Sequence, residues 1–422
     1  MQESFLHFLW RWRRFDAQYL RSTDGQTIEI LHPGEQNDHA GPDFFNARLR
    51  IGDTTWAGNV EMHLRSSEWL AHGHSGDRAY DNVILHVVLD DDAPILRPNG
   101  EPIPCLILRD RIPPSILEIY HRLEHERAWI PCEQFFQDTP GIVRLNWLDR
   151  VLVERLETKT TAVAEMLDAT GNHWEEAFYR ILARNFGLKV NAEPFEMLAR
   201  SLPLLILAKH KSSLLQIEAL VFGQAGLLEE KMEDDYALEL QREYRHLAYK
   251  YQLVPLAASQ WKFLRLRPAN FPTVRLAQFA ALVHQSAHLF SKILEADTLR
   301  GLENLFDVQP SDYWNTHFQF DKPSVRRPKS LGRDFLHLLV VNTMVPFLFF
   351  WGKQKNSEPH QKRALRLLED LPAESNALVD GWARLGVSAR NAYQSQALIH
   401  LKTRYCDAKR CLECGVGNVI LK

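Results

Sequence analysis

Apolar positions along the first third of the chain change period several times. Residues 2–15 place Phe5, Leu6, Phe8, Leu9 and Trp12 at helical spacing, and Arg11, Arg13 and Arg14 follow where cations suit a helix C-terminus. Thr27 to Leu31 alternates like a short strand and stops at Pro33-Gly34. Residues 44–51 and 55–64 alternate on either side of Gly52-Asp53, which predicts a hairpin. Ser66 to Ala71 opens a short helix with a serine cap. Val83 to Leu89 is an unbroken apolar, β-branched run, as in a strand buried on both faces, and Ile103 to Leu108 is a further strand.

From about residue 140 the period is helical. Asn172-His173-Trp174-Glu175 reads as a helix start and Gly187 as its stop; further helical stretches cover 193–223, 234–250, 273–297, 331–351, 358–371 and 375–401. The expectation is an α+β chain: a mixed-sheet α/β domain over 1–125, a connector near 128–140, and a large all-α region over 140–422.

Composition narrows the class. The 422 residues are 45% hydrophobic and 24% charged, as in a globular protein of two or three domains. Lysine plus arginine number 50 against 53 aspartate plus glutamate, so nucleic-acid contact would need local patches rather than bulk charge. Five cysteines are too few for a disulfide framework. The N-terminal segment lacks a secretory pattern, and the apolar run Phe335–Trp351 is interrupted by His337, Asn342 and Pro346, so it reads as a buried helix. A cytoplasmic protein with no membrane partner is expected.

Candidate chemistry concentrates on the hairpin. Pro42-Asp43 precedes its first strand, and Glu61-Met62-His63 lies near the end of the second. Two carboxylates on neighbouring strands can hold a divalent cation with positions left for water and phosphate, and a group two residues on shares the second carboxylate's face. A two-residue turn pairs Asp43 with Met62 and parts the carboxylates; a longer loop or a bulge would pair Asp43 with His63 and let all three converge. The strand alternation favours the simple turn.

The pattern Pro42, Asp43, Glu61, His63, with its order of helix, three strands, helix and strand, resembles the PD-(D/E)XK nuclease superfamily over roughly the first 110 residues. That resemblance implies a restriction-endonuclease-like domain, Mg2+ or Mn2+ on Asp43 and Glu61, and an acidic residue on the first helix, for which Glu3 is nearest. His63 stands where that superfamily has lysine, and as a ligand it would favour manganese or zinc.

Downstream, His72, His74 and Asp77 form a second candidate metal set, and His86 reads as a core histidine. Cys406, Cys411 and Cys414 follow a C-x4-C-x2-C spacing that suits zinc or an iron–sulfur cluster, with His400, Cys132 or Cys105 as the remaining ligand. Some PD-(D/E)XK nucleases carry an iron–sulfur staple of similar arrangement, which implies Cys132 or Cys105 as its upstream member. Arg265, Arg267 and Arg275 surround a helix start that Thr273 is expected to cap, a candidate phosphate seat; Lys322 to Arg333 is a second basic stretch. Solvated loops with snorkelling arginines explain both stretches equally well.

Across its length the chain also resembles a bacterial family catalogued as a domain of unknown function. The resemblance rests on Gly41-Pro42-Asp43-Phe44, Trp56-x-Gly58-Asn59-Val60-Glu61-x-His63, Leu85-His86-Val87-Val88, Arg267-Pro268-x-Asn270-Phe271-Pro272 and the final cysteines. Three functional readings remain: a metal-dependent nuclease, a non-catalytic nucleic-acid-binding or scaffold protein of the same fold, and a small-substrate hydrolase built on His72, His74 and Asp77.

Overall fold

The computed structural model describes residues 1–37 and 39–422. It divides into two units, Met1–Asp149 with His400–Lys422, and Arg150–Ile399. The boundary differs from the sequence expectation at the chain's end, because the last residues return to the first unit.

The first unit is built on a mixed sheet. Helix α1 (Glu3–Trp12) buries Phe5, Leu6, Phe8, Leu9 and Trp10 and ends at Arg13, whose φ of 50° is left-handed. Strands β1 (Ile28–His32), β2 (Glu35–Gln36), β3 (Phe44–Ile51), β4 (Thr54–Arg65), β5 (Val83–Asp90) and β6 (Cys105–Ile107) follow. The sheet order is β1-β3-β4-β5-β6, with β2 also paired to β3. β4 is antiparallel to β3 and parallel to β5, so it sits mid-sheet, and its residues 58–63 are buried.

The β3–β4 turn is the predicted two-residue one, with Ile51 facing Thr54. The register then slips between Ala47, which faces Gly58, and Phe44, which faces Val60. Phe45 and Asn46 therefore oppose Asn59 alone, a β-bulge, and Asn46 takes the left-handed φ of 57° that asparagine tolerates. Gly58 lets β5 come close: a Cβ there would meet Ile84 Cγ2 at 2.5 Å.

Parallel strands need a crossover. Here it is residues 66–82, carrying helix α2 (Glu68–Ala71) and two short 3-10 turns. Ser67 precedes α2 without capping it; its hydroxyl and amide bind Asp92 instead. Trp69, Val83, Ile95 and Ile103 pack together beneath the crossover. Helices α3 (Pro114–His125) and α4 (Glu133–Phe136) follow, the latter inside the segment expected to be an irregular connector. Helix α5 (Gly141–Ala169) then carries the chain into the second unit.

The second unit is helical apart from the small ladder His317–Gln319 with Lys322–Pro323. Large side chains including Phe178, Phe186, Phe195, Phe222 and Phe279 fill its core. The helix start at Trp174 and stop at Gly187 match the sequence pattern, with His173 Nδ1 accepting the Glu176 amide at 3.3 Å. Long periodic stretches break where loops intervene: 193–223 becomes Ala192–Ser201, Leu204–Lys209 and Leu214–Gln224. Arg333–Gln354 is long and apolar enough to cross a membrane, but 78% of its most apolar window is buried inside the protein. A π-helical turn at Val340–Met344 accommodates Pro346, which cannot donate to Asn342; the freed Asn342 carbonyl takes the Asn185 side-chain amide at 3.2 Å.

A histidine–carboxylate cluster and a four-cysteine pocket

The bulge decides the first site. With Phe44 facing Val60, Asp43 falls opposite Glu61 rather than opposite Met62 or His63. The Asp43 amide donates to Glu61 Oε2 at 3.1 Å, and the Met62 amide donates to Asp43 Oδ2 at 2.9 Å. Asp43, Glu61 and His63 thus meet through one extra residue in β3, where the sequence pattern alone suggested an irregularity that pairs Asp43 with His63.

Three further elements close on them. α1 brings Glu3 and, one turn later, His7, whose Nε2 lies 3.2 Å from Asp43 Oδ2. The ligand atoms of Glu3, His7 and Asp43 all lie within 4.8 Å of one another. The crossover brings His72 and His74, and these form a second such group with His63. Glu61 links the two: its Oε1 is 3.3 Å from His74 Nε2 and 3.7 Å from His63 Nε2, while its Oε2 faces the Asp43 amide. His63 Nε2 is 3.2 Å from His72 Nδ1.

These separations carry chemical information. Nitrogen and oxygen ligands about 2.0–2.1 Å from a tetrahedral ion lie roughly 3.4 Å apart. The His63–His72, His74–Glu61 and His63–Glu61 separations of 3.2, 3.3 and 3.7 Å fall on such edges. Three imidazoles and a carboxylate suit zinc or manganese better than magnesium. Outer contacts orient the rings. His63 Nδ1 is 2.9 Å from His86 Nε2, which leaves His63 Nε2 free to act as a ligand if the proton sits on Nδ1. Tyr80 stacks on His74 with ring centres 3.9 Å apart, and Trp69 packs edge-on against His63, His74 and His86.

Electrostatics fit a cation site. Glu61 is only 4% exposed, and burial, followed by the nearby Asp43 and Glu3, holds its carboxyl far above the ordinary carboxylate range. Glu3 is raised by burial and by Asp43. Burial and the neighbouring His86 push His63 far down, and burial lowers His86 to about 4, so both imidazoles are neutral, the ligating form. Acids driven to hold protons and histidines driven to lose them are what a bound cation would reverse and exploit, respectively.

Of the other predicted positions, Asp77 is exposed and caps its own turn by accepting the Ala79 amide at 2.9 Å; it is in neither group of close ligand atoms at the cluster. Arg265, with a left-handed φ of 62°, and Arg267 are exposed. Arg275 is buried; it donates to Gln278 Oε1 at 2.9 Å and Asn270 Oδ1 at 2.6 Å and lies over the Phe335 ring. The helix there begins at Pro272, and Thr273 donates to the Phe318 carbonyl instead of capping it. The three arginines therefore do not share one phosphate seat. His7 is a member of the cluster that the sequence pattern does not single out, although the Glu3-x3-His7 spacing puts both on one face of α1.

The second site lies elsewhere in the same unit. Cys132, Cys406, Cys411 and Cys414 line one pocket with Pro131, Tyr405, Arg410 and Gly417. Cys105 is in β6, apart from them. None of the five cysteines is in a disulfide. Cys132 precedes α4, and Cys406 ends a π-helical turn at Leu401–Cys406. Burial raises all four thiols in the absence of a metal.

Residues 3–377 match a family model described as protein of unknown function (DUF2851), and the chain belongs to that family. No curated protein matches the chain, and no solved structure does.

Proposed function

We propose that this protein is a cytoplasmic, divalent-metal-dependent hydrolase of phosphodiester bonds, with its catalytic centre at the β3–β4 cluster. The observation that carries this reading is the gathering of the His63, His72 and His74 ring nitrogens within 4.8 Å of one another, with Glu61 Oε1 3.3 Å from His74 and 3.7 Å from His63, and with Asp43, His7 and Glu3 alongside. A divalent ion held there would polarise a phosphoryl oxygen and acidify a bound water. The chain's own groups do the rest. Glu61 spans both ligand groups, since its two oxygens face different sides. His86 and Tyr80 fix the rings of His63 and His74. Asp43, held by the Met62 amide, accepts the proton of an attacking water or adds a ligand.

The choice of phosphodiester rests on two carboxylates, Asp43 just before β3 and Glu61 on the neighbouring β4, in an order of helix and strands that resembles the nuclease superfamily. Exposed Arg265 and Arg267 are available for nucleic-acid backbone. The unpaired cysteines fit a reducing compartment. Purified full-length protein should cleave single- or double-stranded DNA or RNA with manganese, zinc or magnesium, and chelator should stop it. Asp43→Asn and Glu61→Gln should each lower the rate by at least about 100-fold. Cleavage undiminished in both variants removes the assignment; metal-dependent binding without cleavage would return the reading to a non-catalytic nucleic-acid-binding protein.

A further inference from the structure

We propose that Cys132, Cys406, Cys411 and Cys414 hold an iron–sulfur cluster that fastens the end of the chain to α4. Four thiols from two distant stretches of the chain line one pocket. Four cysteines beside one another, Cys132 and Cys414 buried and Cys406 and Cys411 half-buried, have no apolar reason to assemble, and thiolates at such range repel unless metal lies between them.

Size separates the metal classes. Four sulfurs about 2.3 Å from one tetrahedral zinc would lie roughly 3.8 Å apart. Among the described residues, the groups of ligand atoms that gather within 4.8 Å of one another are the two at the histidine–carboxylate cluster and His121 with Glu124 and His125. The four sulfurs are not such a group, so they stand around a larger body than one ion. A multi-iron cluster bound by four cysteines is that body.

The surroundings suit bound thiolate. The Val416 and Gly417 backbone amides lie against the Cys414 sulfur and favour its thiolate, the hydrogen bonding that stabilises cluster sulfurs. Lys402, nearly buried and lying over Trp129, and Lys409 place positive charge by Cys406 and Cys411 respectively. Lys409 also donates to the Glu124 carbonyl, tying this loop to α3. Two glycines make the fold of the loop possible. A Cβ on Gly417 would meet the Cys411 carbonyl oxygen at 2.0 Å, and one on Gly415 would meet Trp147 at 2.8 Å.

The test is elemental and spectroscopic, on full-length protein made with iron and zinc both supplied and purified without oxygen. The expected result is a brown protein with iron and acid-labile sulfide in equal amounts, about two or four of each per chain, bleached by dithionite. A folded, colourless protein carrying one zinc per chain, or no metal, overturns the proposal. Cys411→Ser and Gly417→Ala should lose most of the iron, whereas Cys105→Ser and Gly141→Ala, the latter with nothing within 4 Å of its added Cβ, should retain it. Iron retained in full by Cys411→Ser and Gly417→Ala also overturns it. The wild-type metal content decides the matter even if a variant does not fold.

Discussion

Replacing Glu61 with glutamine separates what the cluster costs the fold from what it gives a metal. Glutamine keeps the shape of the side chain and can still accept the Asp43 amide, but it carries no charge. In metal-free protein the buried Glu61 holds its proton well above its ordinary value of 4.5, while the unfolded chain gives that proton up. A carboxyl raised in this way contributes stability that is complete below its unfolded value and falls away as pH rises toward its folded value, by about 1.4 kcal/mol per pH unit. Between pH 5 and pH 7 the wild type should therefore lose roughly 3 kcal/mol relative to Glu61→Gln. The difference between the two proteins is the quantity to read, because neutral His63 and His86 work in the opposite direction and are common to both.

Metal reverses the order. A ligand at about 100 times its dissociation constant stabilises the folded state by roughly 2.7 kcal/mol, and Glu61, bridging both ligand groups, should account for most of that binding. Urea unfolding at pH 5, 6 and 7, followed by tryptophan fluorescence, with chelator and then with saturating zinc or manganese, gives both numbers. In chelator the variant should grow steadily more stable than the wild type; with metal at pH 7 the wild type should lead. Parallel pH curves in chelator, or equal stabilisation of both proteins by metal, would refute the reasoning.

Four other consequences can be measured. Deleting Asn46 removes the extra residue of the bulge while leaving Asp43 opposite Glu61, so metal binding should survive; Asn46→Val keeps the residue but opposes its φ of 57°, and should cost about 1–2 kcal/mol in denaturant unfolding. In the helical unit, burial raises Glu218, bonded by Tyr236 and Ser311, to about 8. Its stabilising contribution is thus full below pH 4.5 and lost as pH climbs toward 8, and Glu218→Gln should flatten that part of the unfolding profile by up to about 1.4 kcal/mol per pH unit. Arg275→Ala strands Asn270 and Gln278 and empties the space over Phe335, so unfolding should show a loss of about 2–4 kcal/mol. Arg265→Ala and Arg267→Ala should each change stability by less than about 0.5 kcal/mol. Together they should reduce the salt slope of any nucleic-acid binding, by about one for every phosphate that is no longer neutralised.

The sheet was legible because its periods are clean. Alternation over 44–51 coincides with β3, and the unbroken run at Val83 marks β5, buried on both faces. The helical unit was legible in kind but not in its breaks: the apolar period runs on through 193–223, while Pro203 and the turn before Leu214 interrupt it. The site was half legible. Asp43, Glu61 and His63 announce themselves by chemistry, but their convergence hangs on a bulge, and alternation alone counts Phe45 as inward. In the structure Phe44, Ala47, Leu49 and Ile51 are the buried set, and the phase breaks at Phe45-Asn46. Asn46 is the available signal, the one residue in that run at ease with a left-handed backbone. His72 and His74 stand out in the sequence as a metal set of their own, but their meeting with His63, like the arrival of His7, was beyond any periodic reading, because what brings them in is tertiary: a helix packed against β4, and a crossover forced by the parallel pairing of β4 with β5. On the function proposed above, that crossover would supply ligands beside His63, which stands where the resembled superfamily has lysine. A lysine at position 63 would set an ammonium, which cannot ligate a metal while charged, where His63 Nε2 now lies 3.2 Å from His72 Nδ1 and 3.7 Å from Glu61 Oε1. On that same proposal, the neutral imidazole of His63 would add a ligand at that point, so His63 and the histidine-bearing crossover would together favour a softer metal.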